Sequence, residues 1–319
     1  MNAIDVLCDY YYPRAKWLQK HCNWGFQSYT GEAANKEIND PLMQRIEIYD
    51  CYTRNAAGFS NVLQDLFYGT DTPKWHHMSE ERQIIVNDGN GVQKDLAAWL
   101  YAFMVHRITG SGASFEWDHG YRNSLVQHWG KLQSVEQMMG SLMIKKDSGQ
   151  PMFTSIGNQP PAPKKGVSNY DFMIKELPML ITKLAMWLYA NDGVGHKDVV
   201  DWLNDYNVSQ GHRRFNFQYA AFSMDCSDYF PNLVDPDSHT YFGNNAKRCA
   251  KLVAPGMKHD DLMDLLRERT GGKPKDLEDV LCDFVRFAQN YVPKEQREEH
   301  AGLTNNSGWE SGFEQRNGE

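Results

Sequence analysis

The residues best suited to chemistry gather in Val234-Asp235-Pro236-Asp237-Ser238-His239. Two carboxylates and an imidazole in one tight turn can accept and return protons near neutral pH. Asp225 stands shortly upstream as a third carboxylate. Just downstream, Gly243-Asn244-Asn245-Ala246-Lys247-Arg248 reads as the start of a helix with two cations in its first turns. Unpaired N–H groups and the helix dipole favour an anion at such a start, and Lys247 and Arg248 reinforce it. An acid/base group beside an anion cradle is the chemistry of displacing a phosphate-type leaving group. Asp237 and Ser238 also qualify as caps of a short helix.

Three other segments carry candidate binding residues. Ile108 to Ser124 lies between two expected helices. Gly110 and Gly112 let the backbone approach a ligand, Ser111 adds a hydroxyl, and Arg122 and Asn123 project from the next helix start. Glu116, Asp118 and His119 form only a weak metal set, with a single imidazole. Gly193-Val194-Gly195-His196-Lys197 is similar to the hairpin of helix-hairpin-helix DNA-binding elements, where backbone N–H groups hold a phosphate. Gly193, Gly195 and Lys197 are then DNA contacts; a plain glycine cap between helices is the alternative. Gly211-His212-Arg213-Arg214 is a compact basic cluster. Cations oppose the dipole of a helix start, so a phosphate on Arg213 and Arg214 relieves that cost. His76-His77, before a helix, suits a surface or capping role.

The elements that must position these groups are helices. Val92, Leu96, Trp99, Leu100 and Phe103 share one helical face, as do Leu277, Val280, Leu281, Phe284, Ala288 and Tyr291. Further helices are expected over 4–20, 41–68, 121–145, 170–190, 196–206, 213–224, 244–253 and 259–270. No convincing strand pattern is present, and the fold class is mainly α. Of the 319 residues, 41% are hydrophobic, enough for a sizeable core. We expect one mainly α catalytic domain over 1–293, divisible into two lobes at the proline-rich connection 148–168, and a mobile tail over 294–319. The net charge of -8 excludes a global basic field, so any nucleic-acid contact must use a local basic patch. No apolar run is long enough to span a membrane, and the N-terminus lacks a secretory pattern. The six cysteines, without a CxxC pair, read as reduced thiols.

Several separated motifs, in order, resemble a bacteriophage family. They are Asn39-Asp40-Pro41-Leu42-Met43-Gln44-Arg45, Tyr49-Asp50-Cys51-Tyr52-Thr53-Arg54, Thr109-Gly110-Ser111-Gly112, Phe217 to Asp225, Gly243-x-x-Ala246-x-Arg248, and Leu277 to Phe284. The family is that of the alpha-glutamyl/putrescinyl thymine pyrophosphorylases, also described as amino acid:DNA transferases. It is related to the helical domain found with 5-hydroxymethyluracil DNA kinases. The resemblance spans roughly residues 39–290. Asp50 and Thr53 stand where the family pattern has asparagine and arginine, and Asn245 stands near its second glycine.

The resemblance implies a multi-helix, DNA-glycosylase-like architecture of the helix-hairpin-helix type, working in the cytoplasm of an infected bacterial host. It implies DNA containing phosphorylated 5-hydroxymethyluracil as one partner and an amine donor, an amino acid or a polyamine, as the other. The target base is taken out of the duplex, and the amine displaces its phosphate or pyrophosphate. Asp237, His239, Asp235 or Asp225 would deprotonate the amine or control charge at the ring. Arg248, Lys247, Arg122 or the Gly110–Gly112 loop would steady the departing oxyanion, and Asn123 would hydrogen-bond the base. No cofactor is required, although a magnesium ion riding on pyrophosphate is compatible with the scheme. The rival readings are a helix-hairpin-helix DNA glycosylase or lyase, with Lys197 as the lysine, and a non-catalytic helical nucleic-acid-binding protein.

Overall fold

The structure, a computed structural model, describes residues 3–13, 16, 96–109, 134–149, 152–153 and 160–288. Helices are α1 (Ala3–Asp5), continued by a π-helical turn Val6–Tyr11, α2 (Leu96–Ile108), α3 (Val135–Asp147) and α4 (Asn169–Asp171). A second π-helical turn, Phe172–Glu176, leads into α5 (Leu177–Ala190). Then come α6 (His196–Ser209), α7 (Asn216–Tyr229), α8 (Asn244–Val253), α9 (His259–Thr270) and α10 (Pro274–Ala288). Among the described residues there is no extended strand, only the isolated bridges Lys164–Val167 and Val194–Val234. The mainly α expectation therefore holds. The expected helix over 41–68 lies outside the described residues. No helix among the described residues is long and apolar enough to cross a membrane.

The described residues fall into two compact units. The larger holds 96–109, 134–149, 152–153 and 160–241; the smaller holds 3–13, 16 and 242–288. The described ends of the 148–168 connection both lie in the larger unit. The chain leaves that unit after Tyr241 and enters the other at Phe242.

At the centre of the larger unit runs α2. Its sequence, Leu-Ala-Ala-Trp-Leu-Tyr-Ala-Phe-Met-Val-His-Arg-Ile, is apolar on nearly every side, the mark of a helix surrounded by others. Trp99, Tyr101 and Phe103 are fully buried, each such ring contributing about 1.5–3 kcal/mol through removal from water. Phe103 packs on Tyr229 and Phe230, with centroids 5.0 and 6.1 Å away, and Tyr101 donates to the Met173 carbonyl at 3.0 Å. Around α2 lie α3, α5 and α7, and α6 packs on α7. Local chemistry sets the helix starts. Ser134 and Gln137 form a reciprocal capping box on α3, and Ser168 caps α4 by accepting the Asp171 N–H at 3.0 Å.

In the smaller unit α8 packs on α10, and α9 touches both. Arg269 on α9 reaches Asp5 at 2.9 Å and Asp9 at 2.8 Å, tying the N-terminal turn to this bundle, while Tyr11 meets Phe284 edge-on at 5.2 Å. Phe242 stacks on His259 with centroids 4.5 Å apart.

Candidate functional site

The acidic turn is docked on the glycine hairpin. Gly193 N–H donates to the Asn232 carbonyl at 3.1 Å, Val194 N–H to Leu233 at 3.1 Å, and Asp235 N–H back to Val194 at 2.9 Å. These bonds make the parallel bridge Val194–Val234. Val234 is fully buried, and the turn that follows is thereby fixed at the start of α6. Ser238 Oγ accepts the His196 N–H at 2.9 Å and donates to the Asp235 carbonyl at 2.7 Å. Asp198 reaches back to accept the Gly195 N–H at 2.9 Å. The approach of neighbouring side chains to Gly195 is close. A Cβ there would lie 3.1 Å from Asp198 Oδ2 and 3.4 Å from Ser238 Cβ.

Within this frame Asp235 is half-buried and its Oδ1 accepts the Asp237 N–H at 2.9 Å, an Asx turn. Asp237 is exposed and His239 half-buried. Three of the four proposed acid/base groups thus lie in one rigid turn on the N-terminus of α6. Beside them, Tyr241 donates to Asp201 at 2.9 and 3.1 Å, and the Lys197 ammonium sits 5.5 Å from the Tyr241 ring centroid. Burial, followed by the hydrogen bond to Asp201, raises the Tyr241 phenol above its ordinary value, so it remains a proton donor near neutrality.

Asp225 is placed differently. It is buried on α7, where Arg107 of α2 grips both carboxylate oxygens, with Nε 2.6 Å from Oδ2 and Nη2 on Oδ1. A carboxylate so held is a charge anchor between α2 and α7. The hairpin also differs from the phosphate-holding arrangement expected of it. The N–H groups of Gly193, Val194 and Gly195 are all taken by protein acceptors, so a phosphate near here would meet the Lys197 side chain instead. Arg213 and Arg214 are exposed just before α7.

Lys247 and Arg248 stand on α8 of the smaller unit, Lys247 exposed and Arg248 half-exposed. The Gly243 N–H that opens this helix donates to Glu278 Oε1 at 2.8 Å, so a protein carboxylate already lies at the expected anion cradle. Gly110, Ser111, Gly112, Arg122, Asn123 and the His76-His77 pair lie outside the described residues. Among the described residues, no group of three or more His, Cys, Asp or Glu side chains could hold a metal ion.

Among the described residues, sequence reasoning passed over three buried cations, Arg107, Lys145 and Lys275. Arg107 carries a signal that was available, a guanidinium inside an apolar helical run. Lys145, in the last turn of α3, is buried, and desolvation pulls its ammonium down to about 7. No protein-family model matches the chain, and neither a curated protein nor a solved structure matches it.

Proposed function

We propose that this chain is a DNA-base modification enzyme that transfers an amine onto a thymine-derived base carrying a phosphate or pyrophosphate. The observation that carries the reading is the seating of the Asp235–His239 turn on the Gly193–Gly195 hairpin. The acidic turn and the helix start that bears Lys197 form a single backbone-paired unit. The reaction needs a base that removes a proton from an ammonium-derived nucleophile, and exposed Asp237 is the accessible carboxylate. Asp235 orders the turn, His239 can pass the proton on, and Lys197 supplies positive charge at the same end of α6. The amine forms the new bond to the exocyclic carbon as the C–O bond to the phosphate breaks. The electron pair leaves with the phosphate or pyrophosphate oxyanion.

The test is mass spectrometry of nucleosides from DNA containing pyrophosphorylated 5-hydroxymethyluracil, incubated with the full chain and a mixture of amino acids and polyamines. One new amine adduct with release of phosphate or pyrophosphate is the expected result. Abasic sites would assign the same turn to a glycosylase. A folded protein yielding neither product overturns both enzymatic readings.

A further inference from the structure

Two basic motifs far apart in sequence meet on the surface of the larger unit. Pro163-Lys164-Lys165 belongs to the proline-rich connection, and His212-Arg213-Arg214 leads into α7. The Arg213 N–H donates to the Pro163 carbonyl at 2.7 Å, which places the two motifs side by side. The junction is rigid. His212 is buried edge-on against Phe172, its Nε2 lies 2.7 Å from Glu176 Oε2, and its N–H donates to the Asn207 carbonyl at 2.8 Å. Asn207 Nδ2 donates to the Arg213 carbonyl at 3.1 Å, and the short bridge Lys164–Val167 shapes the other side.

The charges on this seam are only partly answered. Lys164 reaches Glu176 at 3.7 Å, Arg214 reaches Asp205 at 3.4 Å, and Lys175 pairs with Asp171 at 2.8 Å. Among the described residues neither Lys165 nor Arg213 has an ion-pair partner, and both are exposed. A protein of net charge -8 that concentrates unanswered cations on an ordered seam has built a local site for a polyanion. The groups are long, flexible cations, spread over two adjoining segments. That suits the repeating phosphates of a strand better than a single small anion.

We propose that the seam formed by Lys164, Lys165, Arg213 and Arg214 is a contact surface for the phosphate backbone of DNA. This names a partner surface for the activity proposed above and rests on that reading. Its contribution is independent of base sequence, and it holds the strand while the turn at the opposite end of α6 works.

Fluorescence anisotropy with a labelled unmodified DNA duplex, across a series of NaCl concentrations, tests it on the full chain. Lys165→Ala and Arg213→Ala should each weaken binding about 3- to 10-fold and reduce the slope of log K against log salt by about 0.9. Lys251→Ala, an exposed lysine on α8, should leave both unchanged. Equal slopes in wild type and both seam variants, or no binding by wild type at low salt, overturn the proposal. So does tighter, seam-dependent binding to vesicles of anionic phospholipid. The two ideas fail separately: seam-dependent DNA binding without an amine adduct removes only the transferase reading, and adduct formation with unaltered salt slopes removes only the seam.

Discussion

Ser238 Oγ accepts the backbone N–H of His196 at 2.9 Å, so a side chain of the acidic turn caps a helix that begins forty-two residues earlier. The cap links the local stability of α6 to the placement of Asp235, Asp237 and His239. Removing it by Ser238→Ala should cost about 1 kcal/mol in urea unfolding, as for other helix caps. Turnover should fall by more than that loss of stability accounts for, because the turn loses its tether. Ser238→Thr, which keeps the hydroxyl, should recover most of both.

Asp237 is exposed, and its N–H is donated to Asp235 Oδ1. Asp237→Asn should lower the rate of adduct formation by about 10²-fold or more. Unchanged turnover in this variant would remove Asp237 from the base role.

The Arg107–Asp225 pair joins α2 to α7 inside the core. Breaking such a pair from one side leaves a buried charge without its counterpart. Arg107→Ala and Asp225→Ala should each destabilise by about 3–5 kcal/mol, and the double variant should lose clearly less than the sum. Denaturant unfolding of the four proteins in a double-mutant cycle measures this.

Burial lowers the pKa of His212, opposed by Glu176 and assisted by Lys164. The folded state thus refuses a proton that the unfolded chain accepts below about 6.5. At higher pH both states are neutral and the residue adds no pH dependence. As pH falls through the unfolded value, the folded state loses stability. Urea midpoints at pH 7.5 and 5.5 should therefore drop more steeply for wild type than for His212→Gln.

Much of the helical scaffold was legible in the chain. The apolar spacing and glycine boundaries around 244–253 and 259–270 are strong, and α8 and α9 occupy those bounds. Expected ends drifted where packing outweighs local signals. Thus α7 begins at Asn216, because Asn204 Oδ1 accepts the Phe215 N–H at 2.9 Å and keeps Arg213 and Arg214 outside the helix. The candidate site was legible only in pieces. The acidic turn and the glycine hairpin each stand out by composition, but nothing local says that Val194 pairs with Val234. Likewise the arginine that claims Asp225 lies 118 positions away, beyond the reach of any periodicity argument. Backbone N–H groups that a hairpin motif presents as vacant were taken by Asn232 and Leu233, acceptors visible only once the chain is folded.

The bridge between Val194 and Val234 also bears on which length changes the gene can tolerate. Residues 231–233 form a turn in which the Leu233 and Val234 N–H groups both reach the Phe230 carbonyl, so losing one codon between Phe230 and Val234 would shift Val234 off its bridge and swing Asp235 away from the hairpin. Descendants of this gene should accordingly accept side-chain changes at exposed Asn232, which joins the hairpin through its carbonyl, far more readily than deletions in the four residues before Asp235.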